Sequence, residues 1–194
     1  VTNAEYASFL NENKIGSDGI WNGWNDAENK SKVLVRQYDK FGLIWDAELA
    51  EWKPADGCCD CPVVNVSWYG AKAFADCVGG ALPTEAQWEF ACRGGLEETP
   101  FGLGNGLDLT GDIAHIWATD RKTTAPVGSY SPNGFDLYDL HGNVSEWVAD
   151  WFDANYYGGS GGFAWNPTGP KTGTDKVVRG GNFTMDKLSC RCAA

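Results

Sequence analysis

Glycine and tryptophan recur together along the whole chain, which holds 25 glycines and 10 tryptophans among its 194 residues. Glycine permits tight turns that other residues avoid, and tryptophan supplies a large, rigid side chain around which such turns pack. This pattern favours an irregular, loop-rich fold over a bundle of long helices. The length predicts a single domain that spans residues 1–194.

The charged residues exclude two classes of partner. The chain has 15 lysines and arginines against 26 aspartates and glutamates, which gives a net charge of −11. Nucleic-acid binding needs clustered basic side chains that displace counterions, and an anionic membrane surface attracts positive charge. No apolar run reaches the ~18 residues of a membrane-spanning helix. We therefore expect no nucleic-acid partner and no membrane insertion.

Local patterns predict short helices and strands. Residues 3–12 and 69–77 have apolar side chains at helical spacing. A third helix is predicted to begin after Thr84, with Gln87 as its capping-box partner, and to end at Gly94. The predicted strands cover residues 32–37, 42–45, 63–68 and 176–179.

The cysteines indicate an oxidising compartment. Their number, 7, leaves at least one thiol outside any intrachain pair. Residues 58–61 contain three of them, but no second cysteine pair or histidine pair accompanies these in a zinc pattern. One or two disulfides are expected, and a bond from Cys190 to Cys77 or Cys92 is one arrangement. The predicted location is extracellular, at the cell surface or periplasmic.

Four motifs follow one another along nearly the whole chain. They are Val1-Thr2-Asn3-Ala4-Glu5-Tyr6, Leu82-Pro83-Thr84-Glu85 with Cys92-Arg93-Gly94-Gly95, Leu140-His141-Gly142-Asn143-Val144-Ser145-Glu146-Trp147, and Val177-Val178-Arg179-Gly180-Gly181. In this order they resemble the formylglycine-generating-enzyme family, also called the sulfatase-modifying-factor domain. The resemblance implies an α+β fold with little regular structure, a variant of the C-type-lectin fold. It also implies that the chain is incomplete at both ends, inside family motifs.

The family that these motifs resemble has several functions. It includes copper-dependent oxidases that convert a sulfatase cysteine to formylglycine, iron enzymes of sulfur-histidine biosynthesis, and non-enzymatic binding proteins. The variable proteins of diversity-generating retroelements belong to this last group. An iron site needs about three histidines, or two histidines with a carboxylate. This chain has only His115 and His141, and no helical domain accompanies them, so we do not expect an iron enzyme. The fold alone does not determine the activity, so the activity has to be inferred from the residues of the site.

The copper-binding cysteine pair of the oxidases is interrupted in this chain. The resemblance places the pair after the Arg-Gly-Gly motif, with four residues between its members. Counting forward puts Met185 and Cys190 there, and counting back from the final Cys-Ala-Ala puts Asn182 and Lys187 there. A thioether binds Cu(I) but supplies no thiolate. We assign no catalytic residue, and an oxidase would depend on copper and on Cys190.

A structural calcium site is implied by the same resemblance. Carried over residue by residue, its ligands are Asp139, the backbone carbonyls of Gly142 and Val144, and Glu146. Calcium takes about six to eight oxygen ligands, and carboxylates and carbonyls are the usual ones. His141, inside this loop, is interpreted as a spacer because no partner nucleophile is evident.

The segment after the Arg-Gly-Gly motif is the predicted binding site. In the variable proteins it carries the diversified side chains, and surface side chains that packing does not dictate suit such a role. The leading hypothesis is a non-catalytic binding module that recognises a protein or surface ligand through loops near residues 182–192. The alternatives are a copper-dependent oxidase and a structural subunit of an extracellular assembly or homo-oligomer. The predicted binding residues are Asn182, Phe183, Thr184, Met185, Asp186, Lys187, Leu188 and Ser189.

Overall fold

The chain forms two compact units in a computed structural model that describes residues 1–22, 31–158 and 165–194. None of the helices in these ranges is long and apolar enough to cross a bilayer. A single domain over residues 1–194 stays a prediction. The N-terminal unit comprises Val1–Ala81 and Thr123–Val127, and the C-terminal unit comprises Leu82–Lys122 and Gly128–Ala194.

Helix α1 (Asn3–Glu12) has the bounds that the sequence predicts. Thr2 and Glu5 form a capping box at its start. The Thr2 Oγ1 accepts the Glu5 N–H at 3.2 Å, and the Glu5 carboxylate accepts the Thr2 N–H at 2.8 Å. One face of the helix enters the N-terminal core, and its buried apolar residues are Tyr6, Ala7, Phe9 and Leu10.

The described part of the N-terminal unit contains two antiparallel strand pairs. The strand predicted at residues 32–37 is shorter than expected and ends at Val33. The strand predicted at residues 63–68 is wrong: a single bridge joins Val66 to Val35, because Ser67 already caps the next helix. The pairs are β1 (Ile20–Trp21) with β2 (Lys32–Val33), and β3 (Leu43–Asp46) with β4 (Glu51–Pro54).

Helix α2 (Trp68–Cys77) confirms the helix predicted at residues 69–77. Its first turn is held by the Ser67 Oγ, which accepts the Gly70 N–H at 3.1 Å. A Cβ at Gly70 would lie 2.2 Å from the Leu34 carbonyl oxygen. Glycine is needed here because any side chain would collide with that carbonyl.

Helix α3 (Glu85–Arg93) lies at the start of the C-terminal unit. Thr84 and Gln87 form the predicted capping box, with the Gln87 N–H donating to the Thr84 Oγ1 at 3.2 Å. Gly94 ends the helix in the left-handed conformation, at a φ of 56°. Both ends of this helix are therefore as the sequence predicts.

The C-terminal unit has one described strand pair and two described 3₁₀ turns. Strand β5 (Glu146–Trp151) is antiparallel to β6 (Lys176–Arg179), whose bounds are those predicted. The 3₁₀ turns are Trp117–Thr119 and Lys187–Cys190. Two buried clusters form its core: Trp88, Cys92, Val148, Val177 and Cys192 in one, and Phe101, Leu109, Ala114, Ile116 and Cys190 in the other.

Candidate functional site

An exposed run of six residues follows strand β6. Residues 184–189 are all exposed, whereas Gly181 before them and Cys190 after them are buried. Two of the exposed side chains are apolar: Met185 is 39% exposed and Leu188 is 58% exposed. Apolar side chains that are grouped on a surface are typical of binding sites.

Side-chain hydrogen bonds hold the backbone of this run. The Asn182 Oδ1 accepts the Thr184 N–H at 2.9 Å. The Asp186 Oδ1 accepts the Ser189 N–H at 3.0 Å and begins the second 3₁₀ turn. The hydrogen bond from the Ser189 backbone also lowers the pKa of the Asp186 carboxyl. The backbone is thus fixed while most side chains face solvent.

Two other segments of the C-terminal unit extend the exposed surface. The Trp117 N–H donates to the Met185 carbonyl oxygen at 2.9 Å, and the Trp117 side chain is 61% exposed. The Lys187 Nζ lies 2.5 Å from the Asp108 Oδ1, and the adjacent Leu107 is 68% exposed. Sequence reasoning missed both segments because no periodic pattern links them to the run. The 182–189 surface is defined as residues 182–189 with Leu107, Asp108 and Trp117.

Asn182 and Phe183, the first two predicted binding residues, are less exposed to solvent than residues 184–189. Phe183 is half-buried and stacks on His115, with ring centroids 5.7 Å apart and planes 10° apart. Its N–H donates to the Asn143 carbonyl oxygen at 3.0 Å. Asn182 is also half-buried. Both residues anchor the run, and their direct contact with a ligand stays a prediction.

The predicted copper position, in the described range 165–194, holds one cysteine and not two. Met185 is exposed, whereas Cys190 is buried among apolar residues that include Phe101 and Leu109. Burial raises the pKa of the Cys190 thiol to about 11. Counting back from the final Cys-Ala-Ala instead gives Asn182 and Lys187, whose side chains contain no sulfur. These residues do not fit a bis-thiolate Cu(I) site.

The predicted calcium ligands lie on one tight loop. Gly142 has a φ of 84°, and a Cβ there would lie 2.3 Å from the His115 carbonyl oxygen. Asp139 also has a left-handed backbone, at a φ of 60°, and its Oδ2 accepts the Gly128 N–H at 2.8 Å. Val144 lies in the same loop, just before β5. Such tight turns suit a cation because they aim several oxygens at one point.

Glu146, at the start of β5, supplies the second carboxylate of this loop. Its Oε2 accepts a hydrogen bond from the Trp88 Nε1 at 2.7 Å. Desolvation raises the pKa of the Glu146 carboxyl, and the charge of Asp139 raises it further. Two carboxylates that repel one another at a poorly solvated position fit a divalent cation, which would neutralise both. The residues therefore fit calcium, and calcium binding stays a prediction.

Two cysteine sulfurs and one imidazole meet in the core of the C-terminal unit. Cys92 on α3, His141 in the loop before β5, and Cys192 near the end of the chain are all buried. The two Sγ atoms lie 3.1 Å apart. The His141 Nε2 lies 3.5 Å from the Cys92 Sγ and 3.9 Å from the Cys192 Sγ. The interpretation of His141 as a spacer is wrong, because its ring belongs to this cluster.

Backbone groups fix the imidazole of His141. Its Nδ1 donates to the Cys190 carbonyl oxygen at 2.7 Å, and its Nε2 accepts the Gly102 N–H at 2.9 Å. These partners assign the neutral ring with the proton on Nδ1. The hydrogen bond from the Cys92 thiol lowers the pKa of Cys192, and the same hydrogen bond together with burial raises the pKa of Cys92. Such a thiol pair can be oxidised to a disulfide or hold a soft metal ion.

The whole chain matches one family model. The model describes the sulfatase-modifying factor enzyme 1-like domain, and the match covers residues 1–194. The chain belongs to this family. The resemblance read from the four motifs is therefore confirmed.

Several curated relatives carry the name of the family's enzyme. The formylglycine-generating enzyme of Thermomonospora curvata is 43% identical, over 98% of this chain and 71% of that protein. That of Bos taurus is 34% identical, over 100% of this chain and 58% of that protein. A second Bos taurus protein, named inactive C-alpha-formylglycine-generating enzyme 2, is 33% identical over 79% of this chain. The chain thus spans 58% of the length of both Bos taurus proteins.

Solved structures confirm the predicted fold class. Treponema denticola variable protein 1 has a TM-score of 0.62 and 26% identity, over 73% of this chain and 68% of that one. PvdO from Pseudomonas aeruginosa has a TM-score of 0.64 and 23% identity, over 99% of this chain and 69% of that one. The chain therefore has the irregular, C-type-lectin-like α+β fold of this family.

Proposed function

We propose that the chain is a non-catalytic binding module that recognises a protein or surface ligand through the 182–189 surface. The observation that carries the proposal is the run of six exposed side chains, residues 184–189, on a backbone held by capping hydrogen bonds. A backbone that is ordered before binding loses little entropy when a partner docks. Side chains that point to solvent can differ in identity without disturbing the core.

The chemistry of the surface indicates the kind of partner. Met185, Leu188 and Trp117 expose apolar area, and the Lys187–Asp108 ion pair lies beside them. An apolar centre with charged groups around it is the usual composition of a protein-binding patch. The net charge of −11 attracts a basic partner over a longer range. We place this recognition outside the cell, at its surface or in the periplasm.

Two relatives support a non-catalytic role. One Bos taurus relative is named an inactive enzyme, so the family includes a protein whose name indicates that it lacks catalytic activity. The Treponema denticola protein of similar structure is named variable protein 1, and we propose that this chain shares a surface whose side chains can vary. The exposed thioether of Met185 supports the same conclusion, since it supplies no thiolate for the oxidase reaction.

A copper-dependent oxidase that acts on a sulfatase cysteine is the second candidate function. It is favoured by the names of the Thermomonospora curvata and Bos taurus relatives. In this chain it would use Cys190, the one cysteine at the position of the catalytic pair. Its test is incubation of the protein with Cu(I), oxygen and a cysteine-containing sulfatase peptide, followed by mass spectrometry. We expect no formylglycine product, and conversion of the peptide would replace the binding proposal with the oxidase.

The binding proposal is tested with a random peptide library selected on the immobilised protein. Leu188→Ser is the test variant, and Phe152→Ser is the matched control because both side chains are 58% exposed. We expect the selected peptides to bind the Leu188→Ser variant at least about tenfold more weakly than the wild type, as at an interface hot spot. Binding to the Phe152→Ser variant should be unchanged. Peptides that bind both variants equally well would contradict the proposal.

A further inference from the structure

Three cysteines lie within four residues of the N-terminal unit, in the segment Cys58-Cys59-Asp60-Cys61. The segment is a tight turn, because the Cys61 N–H donates to the Cys58 carbonyl oxygen at 3.3 Å. Such a turn brings the Cα atoms of its first and fourth residues within ~7 Å, and a disulfide needs Cα atoms ~4.4–6.8 Å apart. We infer that Cys58 and Cys61 are a redox-active pair, whose disulfide across this turn secures the start of helix α1 and reopens on reduction.

The two cysteines at the ends of the turn are buried, whereas the one between them is not. Cys58 is 8% exposed and Cys61 is 5% exposed, but Cys59 is exposed. Burial raises the pKa of the Cys58 thiol, and the charge of the neighbouring Cys61 thiol raises it further. The second effect requires that these two sulfurs lie close together. Cys58 and Cys61 are therefore the pair, and Cys59 is the third, exposed thiol.

Hydrogen bonds to two other segments of the same unit hold the backbone of the turn. All four of its carbonyl oxygens accept a hydrogen bond from outside it. The donors to residues 58, 59, 60 and 61 are, in that order, the Asn3 Nδ2 at 3.0 Å, the Ala4 N–H at 3.2 Å, the Val127 N–H at 2.9 Å and the Asn3 N–H at 2.9 Å. Because the backbone is held in this way, we expect the two sulfurs to meet by side-chain rotation alone.

The turn is also a cap for helix α1. Asn3 and Ala4 are the first two residues of the helix, and the N–H groups at a helix start have no partner within the helix. Here those two N–H groups donate to Cys61 and Cys59. A bond that stiffens the turn therefore stabilises the first turn of the helix as well.

The surroundings of the pair favour a disulfide over a metal ion. A structural zinc site needs four ligands, and a second cysteine or histidine pair is the usual source of the other two. Among residues 1–22, 31–158 and 165–194, no third histidine, cysteine or carboxylate joins Cys58 and Cys61 in a cluster of metal-ligand size. Two thiols separated by two residues, without further ligands, are the arrangement of a redox pair.

The short loop makes the bond suitable for opening and closing. A disulfide stabilises a fold mainly by restricting the unfolded chain, and this restriction is smallest for short loops. A bond from Cys58 to Cys61 closes a loop of only four residues. We therefore expect its reduction to leave the protein folded.

Closure removes two electrons and two protons from the pair, and the oxidant we name is oxidised glutathione. The thiolate of one cysteine attacks a glutathione sulfur and releases the first glutathione thiolate. The thiolate of the other cysteine attacks this mixed disulfide and releases the second. The two protons that the cysteines lose end on the two glutathione thiols, so one disulfide is reduced as the other forms. Since Cys58 and Cys61 are buried, each step needs a local opening of the turn.

The first test is thiol mapping of the folded wild-type protein over a series of ratios of oxidised to reduced glutathione. Samples are quenched with acid, denatured, alkylated with N-ethylmaleimide, digested and analysed by mass spectrometry. We expect the peptide that contains the turn to form a bond between Cys58 and Cys61, to lose about 2 Da, and to recover both thiols in reduced glutathione.

Three results of this mapping would overturn the inference. One is the absence of the bond at every ratio, or a bond from Cys58 or Cys61 to a different cysteine. Another is a bond that reduced glutathione does not open while the protein stays folded. The third is protection from alkylation that a chelator removes with release of a metal ion, which would assign a metal site instead.

Two variants form a matched pair, because each keeps two thiols in the turn. Cys59→Ser removes the exposed thiol and should still form the bond between Cys58 and Cys61. Cys61→Ser leaves two adjacent cysteines and should form no bond within the turn. Equal bond formation in the two variants would show that Cys59 can replace Cys61, which contradicts the assigned pair.

Amide exchange of the wild type supplies a readout that needs no variant and no binding partner, so its outcome is independent of the proposed function. Exchange at Asn3 and Ala4 should be at least about threefold slower in the oxidised protein than in the reduced protein, because their N–H groups donate to the turn. Exchange within helix α2 is the internal control and should be the same in both forms. Equal exchange at Asn3 and Ala4 in the two forms would contradict the role of the bond at the start of α1.

Discussion

The Trp117 N–H and the Met185 carbonyl oxygen are joined by a 2.9 Å hydrogen bond. This contact ties the exposed run to a loop that is distant in sequence, and it leaves both side chains exposed. Main-chain groups thus carry the connection, and the Trp117 ring, which has the Lys122 Nζ 5.1 Å from its centroid, takes no part in it. The arrangement separates the residues that hold the surface from those that are available to a partner.

Met185 and Cys190 should differ sharply in their effect on stability. Met185→Ala should change the free energy of unfolding by less than about 0.5 kcal/mol, because the side chain is exposed and belongs to none of the buried clusters described above. Cys190→Ser should lower it by roughly 1–3 kcal/mol, because it puts a hydroxyl into an apolar cluster. Urea unfolding followed by tryptophan fluorescence measures both values. Equal costs for the two changes would show that position 185 is part of the core.

Asp186 should control the order of the exposed run. Asp186→Ala removes the side-chain acceptor of the Ser189 N–H and leaves it only the Asp186 backbone carbonyl oxygen, at 3.2 Å, so amide exchange at Ser189 should become faster. Asp186→Asn keeps a side-chain acceptor and should preserve the protection. The pKa of Asp186 is lowered from 3.8 on folding. Its contribution to stability is therefore present above pH 3.8 and is lost as the pH falls through the lower, folded value. Exchange that is identical in all three proteins would contradict this role.

Local elements of the fold could be predicted because their signals lie within a few residues. The capping box of Thr84 and Gln87 marks the start of α3, and Gly94 marks its end. The prediction of a strand at residues 63–68 was wrong for a related reason. The β-branched residues there are followed by Ser67, which caps helix α2 and so limits how far the extended segment can continue. Competing local signals of this kind are decided by tertiary packing.

The candidate site was only partly predictable because its parts come from distant segments. The run at residues 182–189 follows a recognisable motif, so its position could be read directly. Asp108 joins it through an ion pair with Lys187 across 79 positions, which no periodic pattern indicates. The sulfurs of Cys92 and Cys192 meet across 100 positions, and cysteine counts do not give connectivity.

Gly142 should be far less tolerant of substitution than Gly57, another glycine with a positive φ. Gly142→Ala should lower the free energy of unfolding by at least about 3 kcal/mol, because its Cβ would lie 2.3 Å from the His115 carbonyl oxygen. Gly57 also has a positive φ, of 74°, but no atom lies within 4 Å of its Cβ position. Gly57→Ala should therefore cost only about 1 kcal/mol. Chemical unfolding distinguishes the two, and similar costs would show that the loop relaxes around the methyl group.

Calcium should stabilise the chain through Glu146. Millimolar Ca²⁺ should raise the Tm of the wild type by roughly 5 °C over EDTA, since a ligand that binds only the folded state stabilises it by mass action. Glu146→Gln keeps an oxygen acceptor for the Trp88 Nε1 but removes the charge that repels Asp139. This variant should lose the calcium response and be no less stable than the wild type in EDTA. Glu97→Gln, at an exposed acid in a separate loop, is the control and should respond to calcium as the wild type does. Equal Tm values for the wild type in Ca²⁺ and in EDTA would contradict a calcium site here.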